Sequence, residues 1–248
     1  MKLYKTNKKL DLSNLPTHLA IILDGNGRWA SKRGLPRIAG HKKGAENLES
    51  VLNYAFSLRI PVISIFAFST ENWKRPKDEV EGIFDILRDF IKTFNSKSEK
   101  EQTDEIKNKN IKIVVSGDIT RLPEDLANEI NKKIHLTKDC TGGILNIALN
   151  YGGRADIVQA CNKLLAEKRS IVTEQEFQQA LYTKDLPPVD FAIRTGGDIR
   201  ISNFMLYQMA YAELYFIKTY WPDFNKKQLD IALIDYQKRK RKFGNISI

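Results

Sequence analysis

The sequence predicts a single α/β domain, with a central, mostly parallel sheet of about six strands flanked by helices. Three observations carry that prediction. Short apolar runs rich in β-branched residues recur along the chain. Segments with helical apolar spacing lie between most of them, and no internal repeat or long linker interrupts the alternation. The 248 residues are enough for one substantial core, and 8 Pro and 14 Gly are too few for a fibrous or low-complexity chain.

Residues 1–16 read as a loosely held N-terminal arm ahead of a domain spanning 17–248. The first strand falls at 19–23. Leu48, Val51, Leu52, Ala55 and Phe56 then share one helical face, and 62–68 is the second strand. Across 78–94, Val80, Ile83, Phe84, Leu87, Phe90, Ile91 and Phe94 repeat at the helical period behind an Asp78/Glu81 start signal. The polar stretch 95–110 reads as a solvated helix end and loop. Strands follow at 111–115 and 145–149. A helix at 154–168 is expected to bury Ile157, Val158, Cys161, Leu164 and Leu165, and the last two strands fall at 191–193 and 212–216.

Forty Lys+Arg against 30 Asp+Glu leave a net charge of +10. Nucleic acid, an acidic membrane surface and phosphorylated small molecules are therefore the candidate partners. Cys140 and Cys161 match no metal-ligand spacing and are expected as buried or half-buried fillers in a reducing compartment. The first ten residues lack the apolar core of a signal peptide, and no run approaches the roughly 18 apolar residues of a membrane span. A cytoplasmic, soluble protein is expected.

In open α/β sheets ligands bind beyond the carboxyl ends of the strands. Here those ends carry Asp24-Gly-Asn-Gly-Arg28-Trp29, Ser69-Thr-Glu-Asn-Trp73-Lys-Arg75, Asn150-Tyr-Gly-Gly-Arg154 and Arg194-Thr-Gly-Gly-Asp-Ile-Arg200-Ile-Ser202-Asn. Glycines let backbone N–H groups approach an anion, and arginine forks meet phosphate oxygens in pairs. Arg28, Arg37, Arg75, Arg194 and Arg200 exceed the needs of one phosphate and suit polyphosphates. The P-loop, dinucleotide and serine-hydrolase signatures are absent, which weakens those three readings.

Each piece also has a structural reading. Asp24 could cap a turn, the glycine pairs could be tight strand-to-helix turns, and Trp73 could be core. His18, His41 and His135 default to the surface, and 238–242 to a solvated helix end. Glu213, among apolar neighbours, is either one half of a salt bridge or a metal ligand.

Taken together, the motifs resemble the signatures of the cis-prenyltransferases. They are Asp24-Gly-Asn-Gly-Arg-Trp29, Gly40-His41-Lys, Phe68-Ser-Thr-Glu-Asn-Trp-Lys-Arg-Pro76, Asn150-Tyr-Gly-Gly-Arg154, Arg194 to Phe204 and Tyr211 to Phe216. They occur in the family's order from about His18 to Gly244. The resemblance implies a Mg²⁺-dependent transferase. It would condense isopentenyl diphosphate repeatedly onto an allylic diphosphate, farnesyl diphosphate, to give a long-chain polyprenyl diphosphate. The expected product is undecaprenyl diphosphate, for the cell-wall lipid carrier.

An apolar tunnel between sheet and helices and a homodimer are implied as well, and the basic surface fits transient contact with the inner face of an acidic membrane. By position, Asp24 and Asn72 are implied to be catalytic, and Asp24 and Glu213 to be Mg²⁺ ligands. Gly25, Asn26, Gly27, Arg28, Arg37 and His41 are implied to hold the allylic diphosphate. Trp29, Trp73, Ser69, Thr70 and Glu71 would surround the reaction, while Arg75, Arg194, Arg200, Ile201 and Ser202 would take isopentenyl diphosphate. Two positions depart from the family pattern: Asp198 where Glu is common, and Ile199, which cannot ligate a metal where some members carry His. A different product length is the nearest alternative. A binding-only relative is disfavoured by the intact motifs, and a nucleic-acid-binding protein by arginines clustered at strand ends rather than along a basic stripe.

Overall fold

The computed structural model describes residues 9–93 and 110–240. Six strands are found there, β1 (His18–Ile22), β2 (Val62–Ser69), β3 (Ile111–Ser116), β4 (Gly143–Tyr151), β5 (Phe191–Arg194) and β6 (Glu213–Phe216). They form one sheet in the order β3-β4-β2-β1-β5-β6 with every pairing parallel. Each matches a predicted run to within a residue or two. The described helices are α1 (Asn26–Ser31), α2 (Arg37–Ser57), α3 (Lys77–Thr93), α4 (Glu124–Thr137), α5 (Gly153–Ala166), α6 (Glu174–Ala180) and α7 (Lys226–Lys238). Phe94, most of 95–110 and the end of the basic run at 241–242 lie outside the described residues.

Strands buried on both faces are near-continuously apolar, as parallel strands must be. Leu19, Ile21, Ile63, Ile65, Leu145 and Ile147 face one core, against α2, α3, α4 and α7. Ala20, Ile22, Ala148 and Ala192 face the other, where Phe204, Met205 and Met209 cover them. Because β2 lies on one side of β1 and β5 on the other, the crevice beyond β1 is a topological switch point.

Three expectations are corrected. α5 does not bury Val158, Cys161 and Leu165, which are exposed; it buries Asp156, Ala160 and Leu164. The Asp156 carboxylate accepts hydrogen bonds from Tyr151, Gln159, Gln208 and the Tyr182 backbone, and these hold its side of the helix inward in place of the apolar stripe. The described part of the N-terminal arm is held, with Leu10 in the core and Gln237 bonded to Asp11 and Asn14. His18 is fully buried rather than a surface residue. Its Nδ1–H donates to the Pro187 carbonyl, which can only accept, so Nε2 accepts from the Ser64 hydroxyl. Asn146 donates to Ser64, and Ser116 donates to Asn146, completing a polar ladder across β1, β2, β4 and β3.

Candidate active site

Beyond the ends of β1, β2 and β5 opens a cavity of about 810 Å³ with a polar mouth and an apolar depth. The mouth starts where β1 stops. Asp24 follows the strand directly, and Gly25 turns the chain into α1 at φ +102°, where a side chain would strike Tyr220. Gly40 lets α2 cross close to α1, because a Cβ there would lie 2.0 Å from the Asn26 carbonyl oxygen. These two glycines place Asn26, Gly27 and Arg28 in the cavity wall.

The Asp24 carboxylate is held by arginine from two directions. Arg28 approaches Oδ1 at 3.0 Å, and Arg194, the last residue of β5, donates to Oδ2 at 2.8 Å. Burial pushes the Asp24 carboxyl up, but the Arg194 and Arg28 hydrogen bonds and charges outweigh it and hold the group below the usual carboxylate range. Arg194 also donates to the Ser202 hydroxyl and the Arg200 carbonyl. Asp198 lies against Arg28, Arg194 and Arg200 at 3.6, 3.3 and 2.7 Å. Two carboxylates thus pre-set three guanidinium groups at one mouth.

A second basic group forms around Glu79 on α3. This carboxylate accepts from Arg37 at 3.0 Å and Arg75 at 3.0 Å, and lies 3.4 Å from His41 Nε2. Burial pushes Glu79 up, yet the Arg37 hydrogen bond and the neighbouring cationic charges bring its pKa below the ordinary value. Burial, then Arg75, push the His41 imidazolium down, with Glu79 opposing them. Sequence reading found Arg37, Arg75 and His41 but missed Glu79. The Arg75/Glu79 spacing of four at a helix start was the available signal.

β2 runs into a 3₁₀ turn, Thr70–Lys74, fixed by Asn72 Oδ1 accepting from the Ser69 backbone N–H at 3.0 Å. Glu71 accepts from Asn203 at 2.8 Å, which draws its pKa below the usual value against the upward effect of burial. Ser69, Glu71, Asn72, Arg75, Arg200 and Ser202 all line the mouth. Deeper in, the wall becomes Leu48, Ile65, Ile83, Ile86, Leu87 and Phe90. Part of the α3 face therefore lines the cavity, while Val80 and Phe84 stay in the core; Ile86 was not foreseen.

Five predicted site residues lie elsewhere. Trp29 turns its Nε1–H to Asp223, and Arg33 stacks over its ring. Trp73 packs edge-on against Phe68 and Phe84 and donates to Asn150. Thr70 bonds Glu71, and Ile201 joins the opposite core. Glu213 is the largest displacement. It registers with Phe191 at the start of β5, three residues or about 10 Å of strand before Arg194 and farther still from Asp24. Within one chain Glu213 and Asp24 do not share an ion; Glu213 pairs with Arg239 at 2.9 Å.

Among the described residues no three Asp, Glu, His or Cys side chains gather into a metal-holding group. Asp24 still fits Mg²⁺, which needs only one or two carboxylates when substrate phosphate and water complete its shell. No described helix is long and apolar enough to cross a membrane.

Comparison with known proteins agrees with this arrangement. The Prenyltransf family model, that of the undecaprenyl diphosphate synthases, matches residues 22–244. An isoprenyl transferase of Fusobacterium nucleatum is 45% identical over 233 residues, covering 94% of this chain and 97% of its own. One from Neisseria meningitidis is 44% identical over 242 residues, covering 98% and 94%. The crystal structure of lavandulyl diphosphate synthase from Lavandula x intermedia, in complex with dimethylallyl diphosphate, superposes with a TM-score of 0.85. That protein is 33% identical, and the match covers 94% of this chain and 100% of that one. With a cavity built from the same strand ends that carry the sequence motifs, and relatives matched over nearly their full length, the chain belongs to the undecaprenyl diphosphate synthase family and is a prenyltransferase.

Proposed function

We propose that the protein condenses isopentenyl diphosphate repeatedly onto farnesyl diphosphate, with Mg²⁺, to make undecaprenyl diphosphate for the cell-wall lipid carrier. The observation that carries the reading is the single cavity joining an arginine-lined mouth to an apolar depth. A growing prenyl diphosphate has that same division of character.

In this reading Asp24, Gly25 to Arg28, Arg37 and His41 hold the allylic diphosphate, while Arg75, Arg194, Arg200 and Ser202 hold isopentenyl diphosphate. The allylic C–O bond breaks and its electron pair leaves with diphosphate, whose developing charge the arginines stabilise. The isopentenyl double bond attacks the freed carbon, and the proton lost as the new double bond closes passes to an oxygen of the released diphosphate or to a water. When bound by Asp24 and phosphate oxygens, Mg²⁺ supplies further charge neutralisation at the leaving group. Asn72 orients groups rather than taking the proton: its Oδ1 already accepts from the Ser69 backbone N–H, and a neutral amide is a poor base. Glu213 reaches a metal only across a homodimer, with release of Arg239. A net charge of +10 favours a cytoplasmic enzyme that delivers its product to the acidic inner face of the membrane.

The test is product analysis with farnesyl diphosphate, labelled isopentenyl diphosphate, Mg²⁺ and detergent, beside chelator and Asp24→Ala controls. A ladder ending at undecaprenyl diphosphate and lost in both controls is expected. Another end point would overturn the product assignment alone. No incorporation from any allylic primer would overturn the catalytic reading.

A further inference from the structure

At the mouth, the loop after β5, the turn after β2 and the start of α5 meet at one side chain, Asn203. Its Nδ2–H donates to Glu71 Oε1 at 2.8 Å, and its Oδ1 accepts from the Arg154 backbone N–H at 2.9 Å. Its carbonyl accepts from the Gly153 N–H at 2.6 Å. The two N–H groups that open α5 are thus taken by Asn203 rather than turned to an anion. Ser202 and Asn203 both hold left-handed backbone, at φ +50° and +64°, which asparagine tolerates better than most residues. Gly152 lets the three segments close up, because a Cβ there would lie 2.6 Å from Thr70 Oγ1 and 2.8 Å from Asn203 Nδ2.

We propose that Asn203 is a positioning residue for the condensation: it locks the turn carrying Glu71 and Asn72 to the loop carrying Arg200 and Ser202. This role rests on the chain-elongation reading above, in which that loop holds isopentenyl diphosphate and Asn72 orients the reacting groups. Arg194 fixes the loop from its other side, donating to Ser202 Oγ at 2.6 Å and to Asp24 Oδ2 at 2.8 Å. Asn203 continues that chain of bonds to Glu71, one residue before Asn72, whose Oδ1 closes the turn on Ser69. Asp24, Arg194, Ser202, Asn203, Glu71 and Asn72 all line the same cavity. Thr70 also donates to Glu71, but it lies on the same turn and fixes nothing across the mouth. Reacting carbons must meet at about 3–3.5 Å and in line, so a turn displaced by about an ångström slows the reaction while both diphosphates stay bound.

The experiment measures kcat, KM for isopentenyl diphosphate and the urea midpoint. Asn203→Gly keeps the left-handed backbone and the carbonyl bond to Gly153 and removes both side-chain bonds. A kcat lower by about 10²-fold, with KM within about threefold of wild type, is expected. Asn203→Asp removes the donor to Glu71, sets two carboxylates face to face, and should be as slow. Glu71→Gln in that chain offers an amide N–H to the new carboxylate and should raise kcat about tenfold, whereas in the wild-type chain it should not raise it. A shifted urea midpoint with kcat per folded enzyme unchanged would show a purely structural asparagine and overturn the proposal. A rise in KM alone, or a Glu71→Gln effect of the same sign in both chains, overturns it too. If Asn203→Asp does not fold, the Asn203→Gly result decides. A wild-type enzyme that makes no ladder overturns the elongation reading, and this role with it.

Discussion

Arg194 Nη2 lies 2.8 Å from Asp24 Oδ2, a contact made between residues 170 apart in sequence. The Arg194 side chain is 6% exposed, so this is a largely desolvated contact, and the same guanidinium also serves Asp198 and Ser202. A lysine has a charge but no fork and cannot meet all three. Arg194→Lys is expected to lower kcat by about 10²-fold, the usual effect of losing one pre-set donor at a developing charge. In the proposed reaction Asp24 acts as a carboxylate, and burial alone would raise its pKa. The acid limb of kcat/KM should therefore move to higher pH in the variant. Steady-state rates across pH check this, and an unmoved limb would show that Arg194 does not govern Asp24.

Glu79 is expected to act through the groups it holds. Glu79→Gln frees Arg37, Arg75 and His41 from a common anchor, so KM for diphosphate substrate should rise about tenfold, near 1.4 kcal/mol, with kcat changed less. Its folded pKa is depressed, so its contribution to stability is present above the unfolded carboxylate value and is lost as pH falls through the folded one. Urea unfolding should place the variant about 1 kcal/mol below wild type at pH 7, with the gap closing at pH 4. Equal stability at pH 7 would reject the anchor.

The ladder of His18, Ser64, Asn146 and Ser116 sets a third expectation. Ser64→Ala removes the donor to His18 and the acceptor of Asn146, each fully buried. A loss of about 1–3 kcal/mol per stranded group is expected, read as a lower urea midpoint. Burial pushes the His18 imidazolium down, against the Pro187 carbonyl and Asp190, so its folded pKa lies below 6.5. The unfolded state therefore binds the proton first. Wild-type stability should be full above pH 6.5 and fall as pH drops towards the folded value. A midpoint flat from pH 7.5 to 5 would contradict this.

Much of the fold was legible because parallel strands buried on both faces announce themselves as short apolar runs, and glycines and arginines mark where they end. Fourteen of the predicted site residues come together at the cavity. What escaped depends on partners distant in sequence. The apolar stripe of α5 looked like its buried face because nothing local shows that Asp156 finds donors from Tyr151, Gln159, Tyr182 and Gln208. His18 looks like a surface residue until the sheet encloses it. For Glu213 the sequence leaves a salt bridge and a metal ligand both open, and the structure pairs it with Arg239, because Glu213 begins its strand whereas Asp24 follows the end of its own.

The polar ladder also bears on how the sheet assembles. Ser64 and Asn146 are register partners, drawn from strands whose sequence order differs from their spatial order. Apolar parallel strands slide past one another at little cost, and a sheet of distant pairings forms slowly. A slip by one residue would turn these hydroxyl, amide and imidazole groups into the opposite, hydrocarbon core. The ladder can therefore proofread the folding chain, admitting the alignment that brings Asp24 and Arg194 to the same rim and rejecting its neighbours before any substrate arrives.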